Sequence, residues 1–101
     1  MSLIIPEHIE KEFIRNKSQN TIKTYKSMLY KFFRECFNTD RFDMQLLRDR
    51  KKVINYLDKL STTSIKIITI ALVMLLKAAK APKELIDIYT VIKKKYSQTF
   101  K

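Results

Sequence analysis

Not one of the 101 residues is glycine. The glycine-rich turns that close β-hairpins and the glycine-rich loops that cradle phosphates are therefore both absent, and only Pro6 and Pro82 interrupt the backbone. A chain so built points to helices, and apolar spacing divides it into five.

The first helix is expected at about 5–16, opened by Pro6 and carrying Ile5, Ile9 and Phe13 four residues apart, with Glu7, Glu10 and Glu12 toward its N-terminal end, where the dipole favours them. The second is expected at 18–37 behind Ser18 as N-cap, with Ile22, Tyr25, Leu29, Phe32, Phe33 and Cys36 on one stripe and Asn20, Lys23, Ser27, Tyr30, Lys31 and Arg34 opposite. Asn38, Thr39 and Asp40 break the pattern, and Phe42, Met44, Leu46 and Leu47 dock the connection. A third helix comes next at 48–60, with Val53, Ile54, Leu57 and Leu60 inward.

Hydroxyls at Ser61, Thr62, Thr63 and Ser64 mark the next start, one of Thr62 to Ser64 serving as cap for a fourth helix at 63–81. This helix carries Ile65, Ile68, Leu72, Leu75, Leu76 and Ala79 on one face and Ile67, Ile70 and Met74 on the other, the pattern of a central element. Pro82 separates it from a fifth helix at 83–97, with Leu85, Ile88, Tyr89, Ile92 and Tyr96 as its apolar face and Lys93, Lys94 and Lys95 on its last turns. The expectation is one all-α domain, a four- to five-helix orthogonal bundle, because two cores in so short a chain would each be too small.

Hydrophobic residues make up 46% of the chain, enough for a core and too much for disorder. Lys and Arg number 21 against 10 Asp and Glu, a formal charge of +11, which calls for a polyanionic partner: nucleic acid or an anionic membrane surface. The first fourteen residues hold three Glu and one Lys, so the basic surplus belongs to the region after Ile14. The basic faces lack adjoining exposed Trp or Phe to insert into lipid, and the apolar run at 70–76 is too short to span a bilayer, so no membrane partner is expected. A single Cys36 excludes an intrachain disulfide, and neither a Cys/His metal set nor a signal peptide is legible. No metal and no cofactor is expected, and the compartment reads as cytosolic or nuclear.

Two segments carry a family resemblance. The first is Ser18, Thr21-Ile22, Tyr25 and the Leu29-x-x-Phe32 stripe; the second is Val53-Ile54-Asn55-Tyr56-Leu57-Asp58-Lys59-Leu60, then hydroxyl residues opening a helix through Ala71-Leu72-Val73-Met74-Leu75-Leu76. In order and spacing they resemble the core-binding domain of tyrosine recombinases and phage integrases, over about residues 5–81.

That resemblance implies a SAM-like bundle gripping one side of duplex DNA, with a separate catalytic domain of the same parent closing over the other. It implies a part in site-specific recombination or integration for a phage or other mobile element. The location implied is the cytoplasm with the nucleoid, or the host cytoplasm or nucleus for a viral element. The family's catalytic set is not matched, so no catalytic residue is assigned. His8 is followed by Ile9-Glu10-Lys11 rather than the His-x-x-Arg order, and Tyr96 sits at an apolar helical position without an activating neighbour. The chain then reads either as an isolated, monomeric domain of a longer recombinase or as a stand-alone relative without catalysis.

The resemblance makes the second and fourth helices the groove-facing pair. Ser18, Asn20, Thr21, Lys23, Thr24 and Ser27 form one cluster, flanked by Lys26 and Lys31, and Thr62, Thr63, Ser64 and Lys66 form the other. Hydroxyls, helix N-termini and lysines are the groups phosphates accept from; Gln19, Asn20 and Arg34 suit base edges. The alternative is a basic helical protein-interaction module, dimeric through the Ile67, Ile70 and Met74 face. Cys36, on the apolar stripe, reads as an inert core thiol.

Overall fold

The computed structural model describes residues 3–98, with the side chains of 97 and 98 outside the description. It is an all-α bundle of α1 (Glu7–Ile14), α2 (Gln19–Phe37), α3 (Arg50–Leu57), α4 (Thr62–Ala78) and α5 (Lys83–Gln98), with a 3-10 turn at Leu46–Arg48 before α3.

α4 is the centre. It packs against α5, α2 and α1, while α3 rests on α2. Eight of its residues are buried, among them Ile68, Leu72, Leu75 and Leu76. The one buried polar side chain there, Thr69, donates to the Ile65 carbonyl at 2.9 Å, so it brings no unsatisfied hydroxyl into the core. The opposite face is less buried: Met74 packs on the core, and Ile67 and Ile70 are half-buried. α2 contributes Leu29, Phe32, Phe33 and Cys36, with Phe32 and Phe33 in an edge-on pair at 5.3 Å.

Both ends of α1, α3 and α4 differ from the sequence expectation, each for a local reason. α1 begins at Glu7 rather than about residue 5, since the residue before a proline is pushed out of the α region. Ile5 is buried from an extended strap instead, in which the Ile4 amide donates to the Asp40 carbonyl at 2.8 Å and the Phe42 amide donates to the Ile4 carbonyl at 2.9 Å. α1 also ends at Ile14, before Asn16 turns left-handed at φ 59°.

α3 covers only 50–57 of the expected 48–60, because Asp49 caps the Lys52 amide at 3.3 Å and the chain turns after Leu57. α4 starts at Thr62 and ends at Ala78 rather than spanning 63–81. Its cap is Ser61, whose Oγ accepts from the Ser64 amide at 3.4 Å, and not one of Thr62 to Ser64. Lys80 at φ 56° ends it, two residues before Pro82. α2 and α5 fall within one residue of expectation, and Leu47 docks the connecting segment at full burial.

Candidate nucleic-acid interface

The ten acidic residues leave two long gaps. None lies between Glu12 and Glu35 or between Asp58 and Glu84, and these gaps contain the whole of α4 and nearly all of α2. Helical periodicity then turns the cations and short polar groups of α2 outward, because the aromatic stripe takes the inward face. Asn20, Lys23, Thr24, Ser27, Lys31 and Arg34 are all exposed. The bordering acid is drawn away from this face: Glu35 accepts a 2.8 Å hydrogen bond from the Tyr56 hydroxyl on α3. Uncompensated positive charge is left along the helix.

The remaining sequence-nominated residues divide by local geometry. Ser18 caps α2, its Oγ accepting from the Thr21 amide at 3.2 Å while its hydroxyl donates to Thr21 Oγ1 at 2.9 Å, so both side chains are engaged with each other. Ser64 accepts in the same way from the Ser61 hydroxyl at 3.0 Å. Thr62, Thr63 and Lys66 are exposed at the first turns of α4. Lys26 is different: its ammonium pairs with Glu10 of α1, with side chains 23% and 34% exposed, and it ties two helices together.

The two polar starts are not brought to one place. Lys17, next to the α2 cap, lines the same surface depression as Met74 and Lys77 near the far end of α4. From Ser64 to Lys77 the helix rises roughly 20 Å, so the start of α2 sits by the end of α4, not by its start. Lys77, exposed and in a stretch of sequence without carboxylates, joins the α2 start as a cation that apolar periodicity did not single out, with Glu12 of α1 lining the same depression.

Burial holds the Cys36 thiol and the Tyr56, Tyr89 and Tyr96 hydroxyls toward their protonated forms. Burial pushes the Cys36 thiol up to about 11, only partly opposed by the Lys52 charge. Tyr96 is pushed up to about 12 by burial and by its 2.7 Å hydrogen bond to Asp58. Tyr56 and Tyr89 are raised too, chiefly by burial. His8 is exposed on α1. Among the described residues no group of three or more His, Cys, Asp or Glu is arranged to hold a metal, and no helix is long and apolar enough to cross a membrane. What the outward face of α2 offers is cations, hydroxyls and an amide.

Comparison with protein families, with curated proteins and with solved structures gave no match.

Proposed function

We propose that this chain binds duplex DNA through the outward face of α2 and the flanks of α4, as the gripping domain of a tyrosine recombinase whose chemistry is supplied by a separate catalytic domain. The observation that carries the binding reading is the unpaired face of Asn20, Lys23, Thr24, Ser27, Lys31 and Arg34, set in a stretch without a carboxylate. The recombinase reading rests on the two sequence segments that resemble the core-binding domain, together with an all-α bundle whose centre is α4.

The separation of the two helix starts favours a straddling grip. Roughly 20 Å of helix exceeds the ~12 Å width of the major groove, so cations at the α2 start and the α4 start meet phosphates on different groove margins. Contacts of this kind position the domain without reading sequence. With Lys23, Lys31, Arg34, Lys66 and Lys77 each neutralising one phosphate, log K falls with log salt at a slope of about −4 to −5, and binding is weak, roughly 10⁻⁴ to 10⁻⁶ M.

A labelled duplex titrated at several salt concentrations tests this. The expected result is a slope of that size, with binding abolished in the double variant Lys23→Glu, Lys66→Glu. Absence of salt-sensitive binding at low ionic strength, or full binding by the double variant, would refute the reading.

A further inference from the structure

A second surface feature lies away from the α2 face. α3 and α5 form the walls of an open groove of about 560 Å³, with Ile54, Ile88 and Val91 as an apolar floor. Val91 is 64% exposed, one of two large apolar side chains so exposed among the described residues. Arg50 and Lys51 stand on the α3 side, against a single carboxylate, Asp87.

The walls are fixed before anything binds. Tyr89 and Tyr96 lie two turns apart on α5 and tether it to both ends of α3: the Tyr89 hydroxyl donates to the Leu47 carbonyl, and the Tyr96 hydroxyl donates to the Asp58 carboxylate. A groove held this way costs little reorganisation on binding.

We infer that the α3–α5 groove docks an acidic amphipathic helix of a partner protein. Helices dock in apolar grooves through side chains at i, i+3, i+4 and i+7, and the aliphatic floor has the character such anchors need. The excess of cations around it matches glutamates flanking those anchors and selects against basic helices. A second copy of this chain is a poor occupant: its one acidic helix, α1, already buries its apolar residues Ile9 and Phe13 in its own core. DNA fits less well: the wall cations could meet phosphate, but the aliphatic floor offers it no donor and Asp87 repels it, whereas an amphipathic helix uses floor and walls together.

An isotope-labelled sample titrated with a capped peptide, leucine at i, i+3, i+4 and i+7 and glutamate elsewhere, tests the proposal by amide shifts at near-physiological salt. The same peptide with lysine in place of glutamate is the control. The expected result is saturable shifts at Ile54, Ile88 and Val91 with the glutamate peptide alone. Affinity falls about tenfold in Val91→Asn, as for loss of one anchor, and by less in Lys51→Gln. Because Val91 is exposed, an otherwise unchanged spectrum certifies the fold of that variant. Equal binding of the lysine peptide, shifts that map to α2, no shift up to millimolar peptide, or a DNA duplex that perturbs the groove amides in the peptide's place would each overturn it.

Discussion

The Tyr89 hydroxyl donates a 2.6 Å hydrogen bond to the Leu47 carbonyl, and both residues are fully buried. The bond joins α5 to the turn ahead of α3, satisfying a carbonyl that no helix could pair. Tyr89→Phe keeps the ring and strands that carbonyl in the core. The expected cost is about 1–3 kcal/mol, read as a lowered urea midpoint with unchanged slope. Tyr96→Phe, which frees an exposed Asp58 that water can solvate, costs less. Equal losses in the two variants would contradict this ranking.

Lys26 gives a sharper test of the interface, because it lies within the nominated cluster yet is engaged by Glu10. Lys23→Gln should reduce the magnitude of the salt slope of DNA binding by about 0.9, the loss of one phosphate contact. Lys26→Gln should leave the slope near that of the parent. Glu10→Gln releases the Lys26 ammonium and so strengthens DNA binding, at a stability cost of about 1 kcal/mol or less for a partly exposed pair. Salt titrations of the three variants decide it; matching losses for Lys23 and Lys26 would place Lys26 on the DNA instead.

How far the sequence carried the structure depends on whether a feature is periodic or local. The inward stripes of α2 and α5 were legible because Leu29, Phe32 and Phe33, or Leu85, Tyr89 and Ile92, recur at helical spacing and are buried as that spacing requires. Asn20, Lys23, Ser27, Lys31 and Arg34 followed by elimination from the same wheel, whereas Tyr30, expected beside them, is half-buried against the core. Illegible were features set by contacts between distant segments. No periodicity pairs Glu10 with Lys26, carries the start of α2 to the end of α4, or bonds Ile4 to Asp40 in an extended strap. The choice of Ser61 over its three neighbouring hydroxyl residues was equally hidden, since all four suit a cap and only backbone geometry selects one.

That selection gives a direct separation of capping from binding. Ser18→Ala and Ser61→Ala each remove a side-chain acceptor from a helix start and should cost about 1 kcal/mol of stability. Thr62→Ala and Thr63→Ala, exposed and without a capping bond, should leave stability within about 0.5 kcal/mol of the parent. Thermal melts and DNA titrations run side by side sort the hydroxyls. If Thr63→Ala destabilised as much as Ser61→Ala, the assigned cap would be wrong.

Cys36 carries a pH signature. Its thiol is raised by burial from 9.0 to about 11 in the fold, so above pH 9 the unfolded chain loses a proton that the folded chain retains. Stability from this group is therefore complete below pH 9 and is lost as pH rises toward 11. Lysine deprotonation also acts in this range, so the parent is compared with Cys36→Ala. The stability advantage of the parent should narrow between pH 9 and 11, and alkylation of the native thiol at pH 8 should be slow until denaturant is added. A constant advantage across that range, or rapid alkylation, would exclude a buried, protonated thiol.

The lack of glycine leaves its clearest trace at helix ends. α2 and α4 both finish through a left-handed residue, Asn38 at φ 56° and Lys80 at φ 56°. In each, the next amide reaches back to a carbonyl of the last turn: Thr39 to Phe33 at 3.3 Å, and Ala81 to Leu76 at 3.0 Å. Asparagine tolerates this conformation, whereas the lysine Cβ crowds the following carbonyl at a cost of roughly 1–2 kcal/mol. Lys80→Gly removes that crowding and should stabilise the domain by about 1 kcal/mol, after the greater freedom of glycine in the unfolded chain offsets part of the gain. Lys80→Asn should stabilise by a smaller amount. Lys77→Gly, three residues earlier inside α4, removes the same charge and should destabilise by about 1 kcal/mol. Denaturation midpoints of the three variants measure this directly. Opposite signs at positions 80 and 77 identify backbone strain as the cause, and a common sign would attribute both effects to the lost charge.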